Sequence, residues 1–207
     1  MMHLTDITGL AGISLAIAAL ALGLPVAARL QPKLQAWLSS AILVTANIPF
    51  GGMSGAEYVR GITGDLSIAA LLLLALPMLG HRSNPLSQKL TAIKHAEKYS
   101  LLAFVAIAAL ALYPCALGIG MFDPYRLGFG NLWLIAGLLF IALMAWARQH
   151  TLVALSLSLA VLCWSIGWYE SNNLWDYLLD PWVSIYALAV LVKRGVSMAG
   201  KQLFRLR

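Results

Sequence analysis

Charge is scarce in this chain. Only 11% of its 207 residues are Asp, Glu, Lys or Arg, against roughly 25% in an ordinary soluble domain, which excludes water as the main solvent of the fold. No ionisable side chain falls near the middle of an apolar run, and that argues against proton-coupled transport, which places such groups near the bilayer midplane. The last run, 181–192, holds no lysine for a retinal Schiff base. Histidine is limited to four residues: His3 at the N-terminus, His81 and His150 at the ends of runs, and His95 in a loop. Haem is thereby left without buried axial ligands. The two cysteines, Cys115 and Cys163, form no CxxC pair and have no histidine at metal spacing, so neither a zinc site nor a thioredoxin-like motif is expected. They read as two small buried apolar residues, with a disulfide between two outer helix halves as the alternative. No serine-nucleophile motif, phosphate loop or metal cluster is present, and no cofactor is expected.

What the chain has instead is apolar length: 61% hydrophobic residues and a mean hydropathy of +0.82. A spanning helix needs about 20 mostly apolar residues, because a helix satisfies its own backbone N–H and C=O groups where lipid cannot. Seven runs suit this role: 10–28, 34–50, 66–80, 101–119, 132–147, 151–169 and 174–192. The expected fold is an all-α integral membrane protein, a single domain over 1–207. The first run carries an acid and no base ahead of it, unlike a signal peptide, and reads as an uncleaved helix. Residues 85–98 mix Leu86, Leu90 and Ile93 with Lys89, Lys94 and Lys98, the pattern of an amphipathic interfacial helix.

Seven spans place twelve of the fourteen basic residues on one side: Arg29, Lys33, Arg82, Lys89, Lys94, Lys98, Arg148, Lys193, Arg194, Lys201, Arg205 and Arg207. By the positive-inside rule that side is the cytoplasm, with the N-terminus outside. Seven of the eight acids fall on the other side: Asp6, Glu57, Asp65, Asp123, Glu170, Asp176 and Asp180. Segment 193–207 mixes Leu203, Phe204 and Leu206 with bases and is expected on anionic headgroups. The charge bias and short loops point to a bacterial inner membrane. The net charge of +6 reflects this topology and not nucleic-acid binding.

The outer loops contain an echo. Glu57-Tyr58-Val59-Arg60-Gly61-Ile62-Thr63-Gly64-Asp65-Leu66 and Asp123-Pro124-Tyr125-Arg126-Leu127-Gly128-Phe129-Gly130-Asn131-Leu132 share acid-x-x-Arg-x-x-x-Gly-(Asp/Asn)-Leu, and Asn172-Asn173-Leu174 repeats its end. One leading helix followed by three outward-closing hairpins accounts for the spacing. Asp65, Asn131 and Asn173 each precede an apolar run and are expected as helix N-caps. For the acid and arginine three apart, two accounts are open. A local ion pair could shape each loop, or Arg60 and Arg126, with Glu57, Asp123 and Tyr125 beside them, could bind an anion such as a lipid phosphate or a partner.

Asp180-Pro181 reads as an N-cap with proline at the first helical position. The twelve residues from there to Val192 make only about 18 Å of helix, against about 30 Å of hydrocarbon. A start at Asn173 would supply the length and put Asp176 and Asp180 on one face. A short interfacial helix breaking before Pro181 is the other possibility.

Two functions fit. One is a non-catalytic membrane subunit docking a membrane-protein partner. The other is a small membrane enzyme or lipid-handling protein, with Arg60 and Arg126 on an anionic headgroup and Asp176 or Asp180 as base.

Overall fold

The computed structural model describes residues 4–79 and 85–205, with side chains described except at 28, 77–79, 85–96 and 199–205. Arg82, Arg207, His3 and His81 lie outside the described residues, as do the side chains of Lys89, Lys94, His95, Lys201 and Arg205. The chain is 76% helical, with nine α-helices among the described residues. Two helical stretches, Leu4–Leu22 and Glu97–Ala116, are long and apolar enough to cross a membrane, and two apolar helices of 16 and 15 residues, Leu132–Ala147 and Thr151–Ser165, are shorter.

Helix α1 is Leu4–Leu22, shifted towards the N-terminus relative to the expected 10–28. Asp6 in its first turn complements the helix dipole, and Gly23 and Pro25 stop it, since neither sustains a helix interior. A 3-10 turn at Ala27–Arg29 leads to α2, Pro32–Thr45, which starts on proline and stops well short of residue 50. The glycines after it make a two-residue hairpin: β1 (Pro49–Phe50) pairs antiparallel with β2 (Met53–Ser54) across Gly51 and Gly52, both at positive φ.

Helix α3, Gly55–Thr63, was not among the expected elements. Its signal lies in Ser54-x-x-Glu57: the Ser54 hydroxyl accepts from the Glu57 N–H while the Glu57 carboxylate accepts from the Ser54 N–H, a complete capping box.

Helix α4 is Ile68–Leu79. The expected interfacial helix and the fourth span turn out to be one helix, α5, Pro85–Ala116. No glycine or proline interrupts residues 86–113, so nothing in the backbone separates the amphipathic stretch from the apolar one. Helix α6 is Leu132–Ala147, as expected, and α7 is Thr151–Ser165, ended by Gly167 at φ +64°.

The start of the last helix is resolved in favour of a break. Helix α8 covers only Leu174–Leu178, Leu179 is extended, and α9 runs Pro181–Arg205. Proline disfavours a helical residue before it, which is why the two do not fuse. The length problem disappears at the other end, because α9 continues 13 residues beyond Val192 to Arg205.

Helices α1, α4, α5, α7 and α9 form the centre, with α2 packed on α1 and α6 on α7. The core is made of α1 (Leu10, Ile13, Ala16), α4 (Ala69, Ala70), α5 (Leu101, Leu102, Val105), α7 (Leu157, Ala160) and α9 (Val183, Ala187). The outer helices keep large apolar side chains in the open, including Trp37 and Val44 on α2 and Trp133, Phe140 and Trp146 on α6, a distribution suited to lipid contact. Cys115 and Cys163 are both free and half-buried.

Contacts between helix ends sort the loops into two groups. Residues 6–8, 60–67, 123–126 and 168–180 meet one another at one end. Residues 97–99, 152 and 194 meet at the other.

Candidate functional site

At the carboxylate-rich end, Arg60 occupies the last turns of α3 and lies against α1. Its guanidinium grips Asp65 in a two-pronged pair, Nε to Oδ1 at 2.7 Å and Nη2 to Oδ2 at 3.1 Å, and Nη1 reaches Asp6 at 3.0 Å. Glu170 stands 4.0 Å from Nη2. Bidentate charge-assisted pairs of this kind are among the stronger hydrogen bonds, and Asp65 is the first reason the guanidinium holds its proton more tightly than usual. The approach to α1 depends on Gly9, where an added Cβ would fall 2.6 Å from Arg60 Nε.

Two expectations are corrected here. Asp65 caps no helix, because both its oxygens are taken by Arg60; the N-terminal turn of α4 is closed by Ser67, whose hydroxyl accepts from the Ala70 N–H. Glu57 does not pair with Arg60 three residues on, because its carboxylate turns back to cap α3.

Beside Arg60 lies a cleft of about 490 Å³, bordered by Asp6, Leu10, Met53, Glu57, Asp65 and Glu170. Four carboxylates surround one guanidinium, and that guanidinium is already paired. Such a cleft repels an anion. Arg126 is not part of it, so the two arginines do not converge on one ligand.

The second echo loop is built differently. Asp123 begins a 3-10 turn, Pro124–Gly128, by accepting the Tyr125 N–H. The Tyr125 hydroxyl donates to Asp176 at 3.0 Å, and Ser171 donates to the same carboxylate. Burial and then the Asp176 charge push the Tyr125 hydroxyl up to about 12. Asn173 caps α8 through the Trp175 N–H and donates its amide to the Tyr125 carbonyl at 3.0 Å, while the Trp175 indole donates to the Pro124 carbonyl. Gly128 presses on Asn173 so closely that an added Cβ would sit 2.6 Å from Cγ. Asn131 caps α6 through the Trp133 and Leu134 N–H groups. Arg126 points outward, exposed, with no ion pair or side-chain hydrogen bond among the described residues.

Asp180 is the most buried acid described, 4% exposed. Its Oδ2 accepts from the Ser67 N–H at 3.0 Å and hydroxyl at 2.7 Å, and its Oδ1 accepts from the Val183 N–H at 2.8 Å. One carboxylate therefore serves the N-termini of both α4 and α9, and those two positive helix ends offset its charge, with no cation paired to it among the described residues. Of the two arrangements open from the sequence, the break before Pro181 is the one formed, and the extended Leu179 sends Asp176 and Asp180 to separate partners instead of onto one helical face. Tyr169 and Tyr177 stack at 5.0 Å between the two clusters, and the Tyr169 hydroxyl donates to the Leu66 carbonyl.

At the opposite end, Glu97 repeats the device. It accepts the Leu152 N–H at 2.9 Å, so α5 supplies the cap that His150 does not give α7. Lys98 lies over the Tyr186 ring and Arg194 over Tyr99, pinning α5 to α9.

Sequence reading missed Ser67, Gly9, Gly128 and Ser171. Small residues that act by permitting close approach, or by receiving a distant carboxylate, leave no periodic signal. No group of three or more His, Cys, Asp or Glu side chains suited to a metal occurs among the described residues. No protein-family model, curated protein or solved structure matches this chain, so the reading of its function rests on these side chains alone.

Proposed function

We propose that this chain is a multi-pass membrane protein of seven spans, α1, α2, α4, the apolar part of α5, α6, α7 and α9, with its N-terminus outside and its C-terminus in the cytoplasm of a bacterial inner membrane. In this reading it is a non-catalytic subunit whose carboxylate-rich rim docks a membrane-protein partner in a cell-envelope or lipid-linked process.

One observation carries the reading: six of the seven acids of that rim accept structural hydrogen bonds, and the seventh, Glu170, stands 4.0 Å from Arg60. Asp6, Asp65 and Glu170 face Arg60; Glu57 and Asp123 cap local turns; Asp176 holds Tyr125 and Ser171; Asp180 holds α4 and α9. A general base has to keep an oxygen open to its substrate, whereas acids used this way make a rigid platform. Around it, Phe50 on the hairpin and Tyr58 and Ile62 on α3 stand exposed, the kind of apolar anchors that dominate protein interfaces.

The lipid-handling alternative draws its support from Arg126, a base of that rim that is exposed and without an ion pair among the described residues, and not from Arg60.

Native mass spectrometry of the gently solubilised protein tests the proposal. A stoichiometric protein partner is expected, retained in Asp176→Asn and lost when Phe50 and Ile62 are both changed to serine. Turnover of a lipid-linked substrate by the isolated chain, abolished in Asp176→Asn, would overturn it.

A further inference from the structure

The segment joining α5 to α6 combines features that the docking platform does not use. It starts at Leu117, directly after the apolar stretch Glu97–Ala116, and Leu117, Ile119, Met121 and Phe122 are all exposed, Met121 completely. Gly118 and Gly120 lie between them at φ +91° and +109°, with nothing within 4 Å of either missing Cβ. Two left-handed residues at alternate positions curl the backbone and turn the apolar side chains outward, away from the bundle. Farther along the same connection and into α6, Phe129, Leu132 and Trp133 are exposed as well. The base in its midst is Arg126, exposed and without an ion pair or side-chain hydrogen bond among the described residues. The acids nearby are occupied: Asp123 accepts the Tyr125 N–H and Asp176 accepts the Tyr125 hydroxyl.

An apolar strip with an aromatic rim and one free guanidinium, leaving a helix that is apolar up to its last residue, matches the chemistry of the bilayer interface: acyl chains beside lipid phosphate. A protein partner would have to reach this strip at the level where the chain emerges from lipid, where phospholipid is already present. We propose that segment 117–129 is a lipid-interface anchor, in which Met121 and Phe122 enter the acyl region and Arg126 contacts the phosphate of a phospholipid. The inference rests on the membrane-spanning reading above. It fixes the depth of this end of α5 and holds Tyr125, and through it Asp176, against the bilayer surface.

Spin labels test it in the full chain carrying Cys115→Ser and Cys163→Ser, reconstituted in phosphatidylcholine vesicles containing phosphatidylglycerol. Labels are placed singly at Met121→Cys and at Ile107→Cys, an exposed position within the apolar stretch of α5. Collisions with oxygen, which concentrates in lipid, are compared with collisions with a water-soluble nickel chelate. The anchor gives oxygen-dominated collisions at both positions. Adding Arg126→Gln raises nickel access at Met121 alone, with the ratio of docked to undocked segment falling about fivefold, one basic residue's worth of attraction to an anionic surface. Arg126→Lys keeps most of the docking.

Nickel access at Met121 with oxygen at Ile107 would overturn the anchor while leaving the spans intact. Nickel access at both would overturn the spans themselves. Exclusion of both probes at Met121 would mean that a second copy of the chain covers the segment, which also overturns the proposal.

Discussion

The two echo loops carry the same spacing of acid, arginine, glycine and Asp or Asn, yet they form different structures. Around Arg60 the chain makes a helix, and the arginine turns inward to clamp Asp65 and Asp6. Around Arg126 it makes a 3-10 turn fixed by Tyr125 and Asn173, and the arginine is left outside. The difference begins locally. Ser54 and Glu57 complete a capping box that nucleates α3, whereas Asp123 is followed by Pro124 and takes only a turn contact. It is completed by neighbours. Gly9 on α1 leaves space for one guanidinium, while Gly128 lets the second loop settle on Asn173 backbone-first. A shared pattern of residues thus fixes neither the loop's shape nor its arginine's role.

The largest expected effect comes from breaking the first loop. Arg60→Gln leaves Asp65 and Asp6, about four-fifths and seven-tenths buried, without the cation they share. Removing one member of a buried pair costs about 3–5 kcal/mol, and the partial exposure here brings the expectation to about 2–3 kcal/mol. Denaturant unfolding in a mild detergent measures it.

Gly128→Ala breaks the second loop from inside. The new methyl meets Asn173 and, at 2.8 Å, Trp175 Cδ1, so overpacking of about 1–3 kcal/mol is expected. Reduced protection of the α8 amides from hydrogen exchange would locate the damage.

Tyr125→Phe removes one charge-assisted bond and is expected to cost about 1–2 kcal/mol at neutral pH. The variant also has a pH signature. The hydroxyl, normally near 10, is raised to about 12 in the folded protein by burial and then by Asp176, so the folded state holds this proton more tightly than the unfolded chain. The stabilisation is complete below pH 10 and is lost as pH rises from 10 towards 12. A stability profile should fall across that window in the wild type and fall less steeply in Tyr125→Phe.

Smallest of all is Arg126→Gln, expected to lie within about 0.5 kcal/mol of the wild type because no side chain among the described residues receives the guanidinium. Loss comparable to that of Arg60→Gln would erase the distinction between the loops.

Much of the helical layout was legible in advance. The run 132–147 was placed to the residue, and Asn131 and Asn173 were identified as caps, because apolar length and a capping side chain are properties of a few neighbouring residues. The errors at the ends of α1, α2 and α7 share a cause: hydropathy continues past glycines and prolines that the backbone does not. The single helix α5 was hidden for the opposite reason, since a change from amphipathic to apolar composition is no obstacle to backbone hydrogen bonds.

The sequence by itself determined most of the apolar helices and that the acids collect at their ends, because both follow from short-range backbone preference and from the cost of placing charge in apolar surroundings. Only the tertiary structure decided the partners. Asp180 had seemed a cap for its own helix and serves α4 as well; Asp65 had seemed a cap and is a counter-ion; Glu97 caps a helix 55 residues away. A carboxylate takes whichever donors the packed helix ends bring to it, and that adjacency is written in no local stretch of the chain.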